Sequence, residues 1–144
     1  MFRLIEEGKP NPLVAQSAQD YETLLDFVFV KRPFIPGAIK KHLIRQAIAH
    51  APTYRKIFQQ LVISRQESAL ETALAGLAIP TLIVWGADDR VLHVSGAAVL
   101  AGVMPEATVA IVDGVGHLPM IEKPEETARI YLRFMDRLPE RQKR

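Results

Sequence analysis

Two short apolar runs constrain the fold of this chain more than any other feature. "TLIVW" (81–85) and "TVAIVD" (108–113) are β-branched or aromatic in character and too short for helices, so both read as strands buried on both faces. Between them "HVSGAAVLAGVM" reads as a helix. After them "KPEETARIYLRFMDRL" is amphipathic, opening on Pro124 with Glu125 and Glu126 in its first turn, where the helix dipole favours acids. Before them "ESALETALAGLAI" reads as a helix ending near Gly76. Helix, strand, helix, strand, helix requires parallel strands with right-handed crossovers. Two strands cannot make such a sheet alone, so the pattern predicts the edge of a larger α/β sheet preceded by a helical segment.

The first half carries helical periodicity throughout. Ser17 is a candidate N-cap with Asp20 three residues on, and Tyr21, Leu24, Leu25 and Val28 follow at i, i+3, i+4 and i+7. Pro33 and Pro36 interrupt this helix, and Pro36-Gly37 marks a turn before a second one carrying Ile39, Leu43, Ile44, Ala47 and Ile48. A third is expected to start at Pro52 and to present Tyr54, Ile57, Phe58, Leu61 and Val62.

Composition narrows the chemistry. With no cysteine among 144 residues, disulfides, thiolate nucleophiles and cysteine-based metal sites are excluded. A net charge of +2, with 18 basic against 16 acidic residues and no basic stripe interleaved with aromatics, argues against nucleic acid as a partner. No apolar run approaches the ~20 residues of a membrane-spanning helix, and "MFRLIEEGKP" lacks the apolar centre of a signal peptide. The compartment stays open between cytoplasm and a membrane surface. His42, His50 and His93 show no metal-ligand spacing and read as surface or rim residues, so neither metal nor cofactor is implied.

The acidic and imidazole groups fall where an α/β sheet does its chemistry, in the loops past the carboxyl ends of the strands. "IVWGADDRV" places Asp88 and Asp89 after the first strand, and "VAIVDGVGHLP" places His117 after the second. Neighbouring strands are ~4.8 Å apart, so an aspartate and a histidine there can form a pair. A carboxylate bonded to one imidazole nitrogen fixes the tautomer and leaves the other nitrogen free to take a proton from a nucleophile. The plainer readings are that Asp89 caps the next helix or pairs with Arg90, that Asp88 is a solvated loop residue, and that Asp113 belongs to an Asp-Gly turn.

From Ile79 to Leu138 the chain resembles the C-terminal third of an α/β-hydrolase, in which a strand ending W-G-x-x-D delivers the acid and a following strand ending G-H delivers the histidine. The matching stretches are "VWGADDRV" and "VDGVGHLPMIEKPEE", and the spacing from Gly86 selects Asp89 over Asp88. "VWGADDRVLHVSGAAVLAGVMP", with "YRKIF" upstream, is similar to the monoacylglycerol lipase and bacterial lipase branch. The resemblance implies a helical cap over residues 1–66, a core segment over 67–144, and Asp89 and His117 as acid and base of a Ser-His-Asp hydrolase acting on lipid-like esters.

One departure is equally informative. The family's nucleophile sits in G-x-S-x-G, and none of Ser17, Ser64, Ser68 or Ser95 has glycines two residues to either side. The expected partner is therefore an N-terminal half that carries the nucleophile elbow, beside a small ester or lipid substrate. Phe27 and Phe34 in the cap, and Leu118 beside the histidine, are candidate substrate contacts. Apolar cap residues flanked by Lys31, Arg32, Lys40 and Lys41 would also suit peripheral membrane contact, and the plainer reading, packing of cap onto core, is preferred for any one of them. The rival readings are a non-catalytic lipid- or partner-binding module, or a related chemistry such as dehalogenation or C–C hydrolysis.

Overall fold

A computed structural model of the chain describes residues 9–64 and 70–139, and the side chains of all of these except 62–64. The expected cap–core boundary at 66–67, Ser68 and the tail "RQKR" lie outside the described residues, as do the side chains of Val62 and Ser64.

Helix α1 (Ala18–Val28) starts where Ser17 directs it: the Ser17 hydroxyl accepts the Asp20 N–H at 3.1 Å, and the Asp20 carboxylate accepts the Gln16 N–H at 2.9 Å. Its buried stripe is Tyr21, Leu25 and Val28, the spacing that puts side chains on one helix face. The chain leaves α1 in extended conformation at Phe29 and passes Pro33 and Pro36 before α2 (Gly37–Ser64). Pro52 lies inside α2 rather than opening a third helix, which corrects the sequence expectation. A proline removes one N–H bond to the carbonyl four residues back. Here that carbonyl belongs to Ile48, on an exposed turn beside an exposed proline, while neighbouring Ala51 is buried and holds the helix in place.

A short helix α3 (Leu70–Leu74) ends before Gly76, whose φ of 74° reverses the backbone. Then β1 (Thr81–Gly86), α4 (Ser95–Val103), β2 (Ala107–Val112), α5 (Pro119–Glu122) and α6 (Pro124–Arg137) follow in order. The strands pair in parallel, with Thr81 opposite Ala107 and Gly86 opposite Val112, so both carboxyl ends lie at one edge. Burial on both faces, expected from composition, is not what this chain shows: Val109 and Ile111 are 39% and 43% exposed. Helices α4 to α6 cover the two strands incompletely, and α6 itself has no fully buried residue. The one-turn helix α5, between the histidine and Pro124, was not expected.

The apolar core lies at the junction of helical segment and sheet. Ala15, Tyr21, Leu25, Val28 and Phe29 cluster with Val91 from the loop after β1, and Leu118 from the loop after β2 packs against them. Removing such a side chain from water stabilises by about 1.5–3 kcal/mol, so the cluster fastens α1 onto both loops.

The outer side of α1 carries an ion-pair group. Arg32 bonds both Glu22 and Asp26, and Lys40 bonds Glu22. Lys40, then Arg32, hold the Glu22 carboxyl below its usual range, and Arg32 does the same for Asp26. A depressed folded-state carboxyl contributes stability that is present above its unfolded value and is lost as pH falls through the folded one. The urea midpoint should therefore drop as pH is lowered below about 4, and Glu22→Gln should flatten part of that dependence. A midpoint independent of pH in this range would show the group to be inert.

Candidate active site

Gly86 ends β1, and three residues later Asp89 turns back into the protein with a side chain only 4% exposed. Its Oδ1 accepts the N–H groups of Val91 at 2.7 Å and Leu92 at 3.0 Å, which closes the loop on itself. Its Oδ2 meets His117 Nδ1 at 2.9 Å. Asp89 therefore closes its own loop with one oxygen and meets the histidine with the other; the next helix takes Val94 as its N-cap with no side-chain bond, so the helix-capping reading is not what the structure shows. Asp88 is exposed, and Arg90 reaches the Asp26 carbonyl of α1 at 3.2 Å, tying the acid loop to the helix above it. Trp85 steadies the same loop: its indole N–H donates to the Leu92 carbonyl at 3.2 Å, and its ring lies so close to Gly96 that a Cβ there would come within 2.9 Å.

His117 is carried by "GVGH". Gly114 at φ 63° makes the turn after Asp113 that the Asp-Gly pair suggests. Val115 and Gly116 then pass close over the end of β1, where a Cβ on Gly86 would stand 2.0 Å from the Gly116 carbonyl oxygen. On the opposite side a Cβ on Gly116 would stand 2.4 Å from the Val28 carbonyl of α1. The His117 N–H donates to that same Val28 carbonyl at 2.8 Å, satisfying one of the acceptors a helix leaves open at its C-terminus. The imidazole side chain is one-third exposed, while the Asp89 side chain facing it is almost fully buried. Such a pair can orient an imidazole for proton transfer.

Glu122 escaped the sequence reading although it lies within the quoted stretch. One of its oxygens accepts Gly116 N–H at 2.7 Å, and the other accepts Val30 and Lys31 N–H at 2.8 and 2.7 Å. The available signal was an acid one residue ahead of the Lys123-Pro124 helix start, outside the first turn whose dipole would explain it.

Of the proposed substrate contacts, Phe27 and Leu118 pack against the buried cluster, whereas Phe34 is 91% exposed and away from it. Ser17 is the α1 N-cap, and the Ser95 hydroxyl bonds His93 Nδ1 at 2.8 Å. His42 and His50 are exposed on α2.

The parallel pair with its flanking helices and the carboxyl-end loops is the C-terminal portion of a known architecture. A model of the Alpha/beta hydrolase family matches residues 4–130, and the chain belongs to that family. It is 34% identical over 128 residues to Lipase 3 of Moraxella sp. (strain TA144), a match spanning 89% of this chain and 40% of that protein. It is 35% identical over 140 residues to monoacylglycerol lipase abhd6-B of Xenopus laevis, spanning 95% of this chain and 42% of that protein. Among solved structures, a membrane phospholipase A described as a bacterial virulence factor superposes with a TM-score of 0.84 at 41% identity, covering 94% of this chain and 43% of that one. The chain therefore spans about two fifths of the length of these relatives.

Asp89→Asn and Gly86→Ala test this geometry, with Gly102→Ala as the control. Asp89→Asn keeps an oxygen for Val91 and Leu92 but turns an amide toward Nδ1, so the His117 ring should change from the Nδ1–H to the Nε2–H tautomer, read from its ¹⁵N shifts. An unchanged tautomer would mean that the pair does not set the ring. Gly86→Ala should cost at least ~2 kcal/mol in urea unfolding because backbone must move. Gly102→Ala, in open space on α4, should be neutral or stabilise by about 0.5–1 kcal/mol.

Proposed function

We propose that this chain is the cap and C-terminal segment of a serine hydrolase that cleaves carboxylic esters of lipid type, with residues 1–66 as cap and 67–144 as core segment. Asp89 orients His117, and His117 serves first as general base toward a serine and then as general acid toward the leaving group. The observation that carries this reading is the 2.9 Å contact between a largely buried carboxylate and an accessible imidazole on adjacent strand-end loops. The similarity to lipases and monoacylglycerol lipases supports esters of fatty acids as the substrate class.

The serine is contributed by another polypeptide segment, the N-terminal half of the fold with its G-x-S-x-G elbow, because no serine in this sequence has that setting. Phe27 and Leu118 border the acyl path from the cap side and the histidine side. Phe34, being exposed, is assigned instead to contact with that other segment or with a lipid surface.

The purified chain should not turn over p-nitrophenyl butyrate, since an acid and a base without a nucleophile have nothing to acylate. Addition of a separately produced N-terminal half from a related lipase, elbow included, should restore hydrolysis. His117→Ala in that pair should lower kcat by about 10³-fold or more. Restored turnover indifferent to His117→Ala would overturn the assignment. A folded complex without turnover would favour a non-catalytic binding module.

A further inference from the structure

We propose that Glu122 is a positioning residue that locks the cap to the His117 loop, so that the location of α1 and the aim of the imidazole are set together. The proposal rests on the reading of His117 as the base. A single carboxylate accepts three N–H groups: Gly116, immediately before His117, and Val30 and Lys31, immediately after α1. All three distances lie between 2.7 and 2.8 Å, the short range of charge-assisted bonds. The partners come from segments about ninety residues apart in sequence.

The carboxylate is itself held by the loop that it positions. The Glu122 and Ile121 N–H groups both donate to the Leu118 carbonyl, at 3.1 and 2.9 Å, so α5 forms a rigid turn beginning next to the histidine. Residues 116–122 are thereby closed into a ring, with His117 on its rim and Glu122 as the clasp. The ring has one further tie to the cap, from His117 N–H to the Val28 carbonyl. A negative charge beside a helix C-terminus is electrostatically unfavourable. Glu122 holds that position beyond Val28 because three oriented N–H dipoles compensate it.

The consequence for the site follows from rigidity. The Gly116–His117 peptide fixes the direction of the His117 Cα–Cβ bond, and the imidazole must meet Asp89 Oδ2. Movement of α1 relative to the sheet is passed to that peptide through Glu122 and Val28, without a side chain to absorb it, because Gly116 has none. A small displacement of a catalytic group weakens proton transfer steeply.

The test uses the 144-residue chain itself and reads the ring by NMR, so it does not depend on turnover. Glu122→Gln keeps the shape but replaces one acceptor oxygen by an NH2 group, which faces an N–H donor on one arm. Val30, Lys31 or Gly116 should then exchange with solvent faster. The His117 Nδ1 proton should also exchange about tenfold faster, the scale of one lost hydrogen bond to a charged group. Faster exchange at Val30 and Lys31 with an unchanged His117 ring would overturn the proposal and leave Glu122 as a staple of the cap only. If the variant does not fold, scalar couplings across hydrogen bonds in the wild-type chain decide: Gly116, Val30 and Lys31 amides should each couple to the Glu122 side-chain carbon. No coupling from Gly116 would equally overturn it. Failure of the complementation assay with these ring and coupling results intact would fault the hydrolase reading alone.

Discussion

Three stretches of backbone meet at Gly116 with almost no side-chain material between them. Below it lies Gly86 at the end of β1, and above it the Val28 carbonyl at the end of α1. A methyl group at either glycine would stand 2.0 to 2.4 Å from a carbonyl oxygen, well inside any tolerable contact. The close approach lets backbone groups do the joining: Asp88 N–H to the Val115 carbonyl at 3.0 Å, Ala87 N–H to the Val112 carbonyl at 2.9 Å, and His117 N–H to Val28. The carbonyls of the buried residues Val28, Val112 and Val115 would otherwise be polar groups removed from water without a partner. Both loops that carry ionisable groups are therefore fixed by main chain, and their side chains are free to serve each other.

The apolar cluster reinforces the same junction. Val91 belongs to the acid loop and Leu118 to the histidine loop, yet both pack with Tyr21, Leu25, Val28 and Phe29 of the N-terminal helical segment. Arg90 adds a polar tie to Asp26. Helix α1 thus walls the Asp89–His117 pair on one side, and its attachment runs through the residues flanking both. The opposite end of the chain is looser: α6 and β2 keep much of their apolar surface exposed among the described residues. Parallel strands are normally covered on both faces, and here Val109 and Ile111 of β2 stay 39% and 43% exposed.

Much of this was legible from pattern. The two apolar runs gave the strands within a residue, since a short β-branched stretch has few alternatives, and the parallel pairing followed from the helix between them. Ser17 was legible as a cap because a hydroxyl ahead of an apolar periodicity has a local partner three residues away. The choice of Asp89 over Asp88 for contact with His117 matched a spacing, W-G-x-x-D, rather than any property of either residue. Pro52 misled because its local rule, helix start, is overridden when the preceding turns are already held by packing of Ile44 and Ala47 against the apolar cluster.

The sequence by itself determined the elements whose causes are local: caps, strand composition, the glycine-rich turn at Gly114, and the placement of an acid and an imidazole after consecutive strands. Only the tertiary structure decided which oxygen of Asp89 faces the ring, that Arg90 turns to Asp26, and that Glu122 joins Gly116 to Val30 and Lys31. The physical reason is separation. Hydrogen bonds between groups far apart along the chain leave no periodicity in it, and a carboxylate that binds backbone N–H groups reads no side-chain identity in its partners. Such contacts exist only once α1 has packed on the strand ends and brought the donors within reach.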